Sequence, residues 1–254
     1  MSASTFVITG ANRGLGLALT QELLQRGHNV VAGARNPVSA IELNELKRHY
    51  NGRLELVALN VADTDSVNAA SRTVANLAIA QDGIDVLVNN AGLNQGTQWN
   101  GLYSQESKAL EDLKAAFEVN VYGVLRTNIA FLPLLRKKVS GKKQIIVISS
   151  NNGSLNGDYA TVPIASAYAV TKTAVNTIVR KSHGELSQEG ITIVSYHPGL
   201  IMTDMIKNIE PEKLKGLEVL TPEQAGSGAA DVFEKLTSRD SAKFLTLGAA
   251  EIDW

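Results

Sequence analysis

Short apolar runs alternate with longer amphipathic segments along most of this chain. The runs are nearly continuous in Val, Ile and Leu, which is typical of strands covered on both faces, and the segments between them carry apolar residues at helical spacing. The predicted strands are Phe6–Thr9, Asn29–Ala34, Leu54–Ala58, Val86–Asn89, Gln144–Ser149, Ile191–Tyr196 and Phe244–Leu247. The predicted helices are Leu15–Arg26, Ala40–Tyr50, Asp63–Ala80, Glu106–Lys138, Ser166–Glu189 and Pro222–Leu236.

The regular order of strand and helix implies right-handed crossovers between parallel strands. We therefore predict an α/β fold in which a doubly wound parallel sheet carries helices on both faces. The chain has 254 residues and shows no internal repeat, low-complexity tract or linker, so a single domain over residues 1–254 is the economical prediction. The least regular stretch, residues 200–220, is punctuated by Asn208, Pro211 and Gly216, and we predict a mobile substrate flap there.

Composition narrows the function classes. The chain has no cysteine, which excludes disulfides and thiolate-bound metals. Its 24 Lys and Arg nearly balance 25 Asp and Glu without a basic block, which argues against nucleic acid or an anionic membrane as partner. Arg126 and Arg136 interrupt the longest apolar stretches, and no leader pattern opens the chain. We expect a cytoplasmic protein that acts on small molecules.

A glycine-rich loop follows the first predicted strand and reads Gly10-Ala11-Asn12-Arg13-Gly14-Leu15-Gly16. Glycines at a strand-to-helix turn let the backbone approach a pyrophosphate, and the helix N-terminus offers N–H groups to it. The spacing matches neither the usual dinucleotide fingerprint nor a phosphate loop with Gly-Lys-Ser/Thr. The loop is interpreted as a cofactor loop, with a purely structural turn as the alternative.

Arg35 ends the second predicted strand, 19 residues after Gly16. An acidic residue at this point would bind the ribose 2′-hydroxyl of NAD, and none is present. A guanidinium suits a phosphate, so Arg35 together with Arg13 predicts a clamp for the 2′-phosphate of NADPH. Two solvated surface arginines are the alternative.

Further motifs follow at the ends of later strands. Asn60-Val61 follows the third, Asn89-Asn90-Ala91-Gly92 ends the fourth, Tyr168 and Lys172 open a late helix, and Pro198-Gly199 closes the sixth with Thr203 just beyond. In this order, and together with the glycine loop, they resemble the short-chain dehydrogenase/reductase family from Thr5 to about Thr203. A lone Tyr-x-x-x-Lys would be a weak signal, whereas the ordered set is specific.

This resemblance implies a Rossmann-type domain and an NADPH-dependent reductase that converts a ketone or aldehyde to an alcohol. It implies a catalytic set of Ser150, Tyr168, Lys172 and Asn120. The residues that it places at the cofactor are Gly10, Asn12, Arg13, Gly14, Leu15, Gly16, Arg35, Asn60, Val61, Asn89, Asn90, Ala91, Gly92, Tyr168, Lys172, Pro198, Gly199, Ile201 and Thr203.

Tyr168 and Lys172 are four residues apart and therefore share a helix face. A phenol with a pKa of ~10 is a poor acid at neutral pH, and a neighbouring ammonium is expected to lower that pKa. By resemblance, Tyr168 gives a proton to the carbonyl oxygen while Lys172 also binds the nicotinamide ribose. A solvated stripe on a helix is the alternative for this pair.

The sequence departs from the family's pattern at two positions, and one of them leaves the choice of catalytic serine open. Tyr168 lies 18 residues after Ser150 and 14 after Ser154, so the serine-to-tyrosine loop is longer than usual and Ser154 competes with Ser150. Asn60 stands where the family has an aspartate at the adenine, and its carbonyl oxygen is expected to accept the same hydrogen bond more weakly. By resemblance, Asn120 holds a water of the proton relay.

The four histidines, His28, His49, His183 and His197, show no metal-binding spacing, and no metal is predicted. The ending from Gly248 to Trp254 and the long loop resemble the branch with Sniffer-type carbonyl reductases, C-factor proteins and norsolorinic acid ketoreductase-like enzymes. An NADPH-binding signalling or redox-sensing protein is the second hypothesis, and an epimerase or dehydratase is disfavoured. The resemblance implies a homodimer or homotetramer.

Overall fold

The computed structural model describes residues 3–94, 102–103, 106–163, 165–204 and 215–254. The strands are β1 (Thr5–Thr9), β2 (Asn29–Ala34), β3 (Leu54–Ala58), β4 (Val86–Asn89), β5 (Gln144–Ile148), β6 (Thr192–Tyr196), β7 (Leu200–Ile201), β8 (Val219–Leu220) and β9 (Phe244–Leu245). The α-helices are α1 (Gly14–Gln25), α2 (Ile41–His49), α3 (Thr64–Ala75), α4 (Glu106–Phe117), α5 (Gly123–Lys137), α6 (Ser166–Leu186) and α7 (Pro222–Lys235).

Seven strands form a parallel sheet in the order β3-β2-β1-β4-β5-β6-β9, which confirms the predicted doubly wound α/β fold. The strand order reverses between β1 and β4. At such a reversal the loops after the two strands diverge and leave a crevice at the carboxyl edge of the sheet. The glycine loop after β1 and the Asn89-Asn90-Ala91-Gly92 segment at the end of β4 both lie there.

Each face of the sheet has its own apolar core. Phe6 and Ile8 of β1 belong to the core that contains α1 and α7, where Phe233 is fully buried. Val7, on the opposite face, belongs to the core that contains α3, α5 and α6, where Phe131 is fully buried. Alternate residues of one strand are thus buried on opposite faces, which explains its continuous apolar sequence.

Apart from shifted element ends, the structure departs from the predicted elements in three places. Helix α3 ends at Ala75 and a separate short turn, Ala78–Ala80, follows, because Asn76 donates a side-chain hydrogen bond to the carbonyl of Arg72 and ends the helix. The helix predicted from 106 to 138 contains a π-helical turn, Glu118–Tyr122. Strands β7 and β8 pair in a second, two-stranded parallel sheet within the predicted flap, whose residues 205–214 lie outside the described residues.

Candidate active site

The glycine loop and the segment after β4 are locked together by hydrogen bonds at the crevice. The Thr9 hydroxyl oxygen accepts from the backbone N–H groups of Asn90, at 3.0 Å, and Ala91, at 2.9 Å. In return, the Asn90 amide nitrogen donates to the carbonyl oxygens of Thr9, at 2.9 Å, and Gly10, at 3.0 Å. These bonds place predicted cofactor residues from two distant motifs in direct contact.

Two glycines of the loop are required by close packing. Gly10 has a φ of +65°, and a Cβ there would lie 2.9 Å from the Cα of Ala91. A Cβ on Gly16 would lie 2.5 Å from both the Asn90 amide nitrogen and the Gly10 carbonyl oxygen. Any larger residue would therefore push the loop away from the segment after β4.

The N-terminus of α1 has no side-chain cap. Its N-cap residue, Arg13, makes no capping hydrogen bond, and the first turn contains no acidic side chain. By contrast, Asp63 caps α3 and accepts from the N–H groups of Asp65 and Ser66. An uncapped helix N-terminus beside a glycine turn fits the pyrophosphate of a dinucleotide, because its N–H groups and dipole favour an anion.

The two predicted clamp arginines differ in their surroundings. Arg13 forms an ion pair with Asp204, with 2.9 Å between Nη1 and Oδ2. Arg35 is exposed, and within the described residues it makes no hydrogen bond or ion pair. Arg35 is thus available to a ligand as it stands, whereas a phosphate must compete with a carboxylate for Arg13.

The predicted adenine contact of Asn60 stays a prediction, and the structure shows which local bonds its side chain and backbone make. The Asn60 Oδ1 atom accepts from the backbone N–H of Ala62 at 3.3 Å, and the Asn60 backbone N–H donates to the Ser66 hydroxyl at 3.0 Å. The Asn60 carbonyl oxygen thus accepts one long local hydrogen bond and keeps a second lone pair for a donor such as the adenine amino group. Val61 is buried and packs against Gly123 at the start of α5.

The first residues of the predicted flap, 200–204, lie against the glycine loop. Gly199 has a φ of +85°, and a Cβ at Gly14 would lie 3.2 Å from the methyl group of Thr203. Pro198 and Ile201 are buried. The Pro198-Gly199 turn thus brings Thr203 beside the uncapped helix N-terminus, as expected for residues that share a cofactor.

The predicted catalytic groups Ser150, Tyr168 and Lys172 lie together at the carboxyl end of β5. Ser150 caps a short turn, Asn151–Gly153, and its hydroxyl lies close enough to the Tyr168 phenol to lower the pKa of that phenol. The Lys172 ammonium lies 5.2 Å from the centre of the Tyr168 ring. The Lys172 Nζ also donates to the carbonyl oxygen of Ile148, the last residue of β5, at 2.7 Å.

Burial controls the acidity of both ionisable groups. It lowers the pKa of Lys172 to about 8. It raises the pKa of Tyr168 well above the ordinary value for a phenol, and the Ser150 hydroxyl offsets only part of this rise. The expected lowering of the Tyr168 pKa is therefore wrong for the protein alone, because the cost of a buried phenolate exceeds the help of its neighbours.

Asn120 connects the segment after β4 to the catalytic helix. Its side-chain nitrogen donates to the Leu93 carbonyl oxygen at 2.8 Å and to the Thr171 hydroxyl at 3.0 Å, and its Oδ1 accepts from the Leu93 N–H at 2.7 Å. Thr171 in turn donates to the carbonyl oxygen of Tyr168. Both amide hydrogens are used within the protein, so the relay water of Asn120 stays a prediction.

The neighbouring serines have other partners. Ser154 is 2 % exposed, and its hydroxyl accepts from the backbone N–H of Asn156 at 3.3 Å. Ser149 donates to the Asn176 side-chain oxygen at 2.7 Å. The effect of the Ser150 hydroxyl on the pKa of Tyr168 therefore favours Ser150 over Ser154 as the catalytic serine.

The remaining predicted residues lie around this crevice with different exposure. Leu15 and Asn89 are buried, and the Asn89 side chain donates to the Asn128 side-chain oxygen at 2.8 Å. Asn12 is exposed on the glycine loop, and a Cβ on Gly92 would lie 3.7 Å from the Asn120 Oδ1. The sequence also predicts a substrate wall, of which three residues lie outside the described residues, Gln95, Trp99 and Met205, and the others are Leu93, Asn94, Asn151, Asn152, Tyr159 and Met202.

Three contributors were missed from the sequence. Thr9 joins the two cofactor segments, Thr171 links Asn120 to the backbone of Tyr168, and Asp204 holds Arg13. The acidic residue directly after Thr203 was a usable signal. Thr9 and Thr171 look like ordinary strand and helix residues in the sequence, and only the contacts distinguish them.

The described residues meet neither the requirements of a membrane-spanning helix nor those of a metal site. Across the described ranges, none of the helices combines the length and the apolar character needed to cross a membrane. The same part of the chain contains no group of three or more His, Asp or Glu side chains that could hold a metal ion.

A crevice suited to a dinucleotide lies next to the cluster of Tyr168, Lys172 and Ser150. This combination defines the active site of an oxidoreductase of the short-chain dehydrogenase type. The family model described as short chain dehydrogenase matches residues 4–214, and the chain therefore belongs to this family. An uncharacterised oxidoreductase of Schizosaccharomyces pombe is 38% identical over 251 residues, which are 94% of this chain and 93% of the relative. These findings confirm the resemblance drawn from the motifs.

Three other similar proteins cover the chain completely or nearly so. The short chain dehydrogenase gsfK of Penicillium aethiopicum is 32% identical over 259 residues, with 99% of each chain covered. The crystal structure of an NADPH-bound carbonyl reductase from chicken fatty liver is 30% identical, with a TM-score of 0.87 and 100% of each chain covered. The carbonyl reductase Sniffer of Drosophila melanogaster shares the fold, at 24% identity and a TM-score of 0.87.

Proposed function

We propose that this protein is an NADPH-dependent carbonyl reductase that converts a ketone or aldehyde to an alcohol. The observation that carries the proposal is the cluster in which the Lys172 ammonium lies 5.2 Å from the centre of the Tyr168 ring, with the Ser150 hydroxyl close enough to affect the pKa of Tyr168. The similarity to the NADPH-bound carbonyl reductase from chicken fatty liver supports the same chemistry.

The cofactor would be held by backbone and cationic groups at the carboxyl edge of the sheet. The uncapped N-terminus of α1 fits the pyrophosphate, and the exposed Arg35 guanidinium fits the 2′-phosphate. Gly10 and Gly16 keep the glycine loop packed against the segment after β4, because a Cβ on Gly10 would meet Ala91 and a Cβ on Gly16 would meet Asn90. When bound, NADPH supplies the hydride that reduces the carbonyl carbon.

The protein's own groups would manage the carbonyl oxygen and its proton. Ser150 donates a hydrogen bond to that oxygen and Tyr168 delivers the proton. The Tyr168 phenol is firmly protonated in the protein alone, which keeps it ready as the acid. The Lys172 ammonium lies close enough to stabilise the phenolate that forms.

Replacing Tyr168→Phe tests this function. The variant keeps the ring and loses the hydroxyl, so NADPH oxidation with a reactive dicarbonyl is expected to fall by ~10²–10⁴-fold. Tyr50→Phe, just beyond the end of α2, is the matched control and should retain turnover. Turnover by Tyr168→Phe at the rate of the unaltered protein would overturn the mechanism. Tight NADPH binding without turnover of any carbonyl would instead favour a sensing protein.

Arg35→Asp tests the cofactor choice. It removes the exposed guanidinium and places a carboxylate where one would bind a ribose hydroxyl, so the preference for NADPH over NADH should fall by at least ~10-fold. Arg48→Asp, on the exposed surface of α2, is the control for a general change of charge. An unchanged preference in Arg35→Asp would contradict the proposed clamp.

The proposed homodimer or homotetramer is supported by an apolar stripe on the surface. Tyr122, Leu125 and Ile129 are 50 %, 41 % and 63 % exposed, and they share one side of the helix around α5. Sedimentation of the unaltered protein and of Ile129→Glu tests the stripe. A monomeric unaltered protein would contradict the assembly.

A further inference from the structure

The loop after Ser150 has an anchor in a distant part of the chain. Its first turn is held by α6, because Thr173 donates a hydrogen bond to the Gly153 carbonyl oxygen at 3.0 Å. One residue beyond the buried Ser154, the backbone N–H of Leu155 donates to the carbonyl oxygen of Trp254 at 3.0 Å. The loop is thus hydrogen-bonded to other parts of the protein at Gly153 and at Leu155, while the Leu155 side chain is 71 % exposed.

Trp254 itself is held by two further elements. Its ring stacks on Phe244 of β9, with the ring centres 5.6 Å apart and the planes 29° from parallel. The Arg180 guanidinium of α6 lies 5.3 Å from the centre of the same ring. Helix α6 also carries Tyr168 and Lys172, so one side chain contacts both the edge of the sheet and the catalytic helix.

The approach to Trp254 is fixed by backbone hydrogen bonds. The N–H of Ile252 donates to the Phe244 carbonyl oxygen at 2.7 Å, and the N–H of Thr246 donates to the Ala250 carbonyl oxygen at 2.9 Å. Residues 250–254 therefore run back along β9, with Leu245 and Glu251 forming an antiparallel bridge. This arrangement places the Trp254 carbonyl in a defined position for the Leu155 N–H.

We propose that Trp254 is a positioning residue for carbonyl substrates. By clamping Leu155 to α6 and β9, it holds the loop 155–163 as a wall next to Ser150 and Tyr168, and it thereby sets which carbonyl compounds fit. The proposal rests on the carbonyl reductase function above. Trp254 contacts neither the glycine loop nor Arg35, so its effect should be confined to the substrate.

The test compares Trp254→Ala with Trp254→Phe and with Tyr50→Ala. Phenylalanine retains a ring that can stack on Phe244. Tyr50 is the matched control, because it also lies under an arginine, with the Arg53 guanidinium 5.2 Å from its ring centre, but it does not contact the loop. The measurements are hydrogen exchange of the Leu155 amide, KM for a bulky and a small carbonyl compound, and KM for NADPH.

In Trp254→Ala, the Leu155 amide should exchange at least ~10-fold faster, because its acceptor is no longer held in place. KM for the bulky carbonyl should rise ~10-fold, with a smaller rise for the small one, while KM for NADPH stays within ~2-fold. In Trp254→Phe, the exchange rate of the Leu155 amide and KM for the bulky carbonyl should both lie close to the values of the unaltered protein. Equal Leu155 exchange and equal KM values in Trp254→Ala and Tyr50→Ala would overturn the proposal.

The exchange measurement does not depend on turnover. If the unaltered protein reduced no carbonyl compound, the proposed function would fail, and unchanged Leu155 exchange in Trp254→Ala would separately refute the clamp. If turnover is normal and Leu155 exchange rises without a change in any KM, the clamp is structural only and the proposed role in substrate selection is wrong.

Discussion

The cofactor half of the crevice, after β1 and β4, differs in construction from the catalytic half, after β5 and β6. Around the glycine loop, the groups offered to a ligand are mostly backbone, and they are held by closely packed backbone and by Asn90. In the catalytic half, the offered groups are ionisable side chains, the buried Lys172 and the half-buried Tyr168. Cofactor binding in the first half should therefore be sensitive to added side-chain atoms, whereas stability and catalysis in the second half should be sensitive to pH.

Gly16→Ala is expected to have the largest effect. Its Cβ would lie 2.5 Å from a backbone oxygen and from the Asn90 amide, so the loop must move away from the segment after β4. We expect at least ~100-fold weaker NADPH binding, equivalent to ~3 kcal/mol, measured by titration calorimetry. Gly184→Ala is the control: it lies in α6 with nothing within 4 Å of its Cβ position, and it should leave binding unchanged.

If Gly16→Ala bound NADPH as tightly as the control, the close contact of loop and segment would not matter for the cofactor. A melting curve of each variant distinguishes a local shift from loss of the fold. Gly184→Ala should melt at the same or a higher temperature, because alanine is favoured over glycine inside a helix by ~0.5–1 kcal/mol.

The catalytic half contains a histidine that should make stability depend on acid. Burial lowers the pKa of His197, at the end of β6, to about 4, and its Nδ1 has no hydrogen-bond partner within the described structure. The unfolded chain takes up this proton near the ordinary pKa of 6.5, so the stabilising difference is present above that pH and is lost as pH falls toward 4. Between pH 7 and pH 5 the loss attributable to His197 is ~2 kcal/mol.

Denaturant unfolding at these two pH values measures this loss. Between pH 7 and pH 5, the free energy of unfolding of His197→Asn should fall by ~2 kcal/mol less than that of the unaltered protein. This holds whatever the stability of the variant at pH 7. His49→Asn, at an exposed histidine, should follow the unaltered protein. The same acid dependence in all three proteins would show that His197 carries no such cost.

The contrast between the halves also explains what the sequence could reveal. Contiguous motifs predicted the glycine loop, the Tyr168 and Lys172 pair and the sheet that joins them, because strand ends and helix periodicity are local properties. The Leu155 to Trp254 contact joins residues about 100 positions apart, and the direction of the Tyr168 pKa shift depends on total burial. Neither quantity is encoded in a local pattern, so each required the packed structure.

The pH profile of turnover tests the second half directly. Because burial lowers the pKa of Lys172 to about 8, the ammonium is present below that pH and is lost as pH rises through it. A neutral Lys172 cannot stabilise the phenolate, so kcat/KM for NADPH should fall ~10-fold from pH 7 to pH 9. Lys172→Met should show low turnover without this fall. A flat profile for the unaltered protein would contradict the assigned role.

The smallest expected effect lies where the glycine loop meets Asp204. The ion pair between Arg13 and Asp204 is largely exposed, and such pairs contribute ~0–1 kcal/mol. Asp204→Asn should release Arg13 to the 2′-phosphate and tighten NADPH binding up to ~5-fold at low salt, with NADH unaffected and the gain screened at high salt. Asp231→Asn, which instead loosens Arg26, is the control. Weaker NADPH binding in Asp204→Asn would mean that the carboxylate positions Arg13 for the phosphate rather than competing with it.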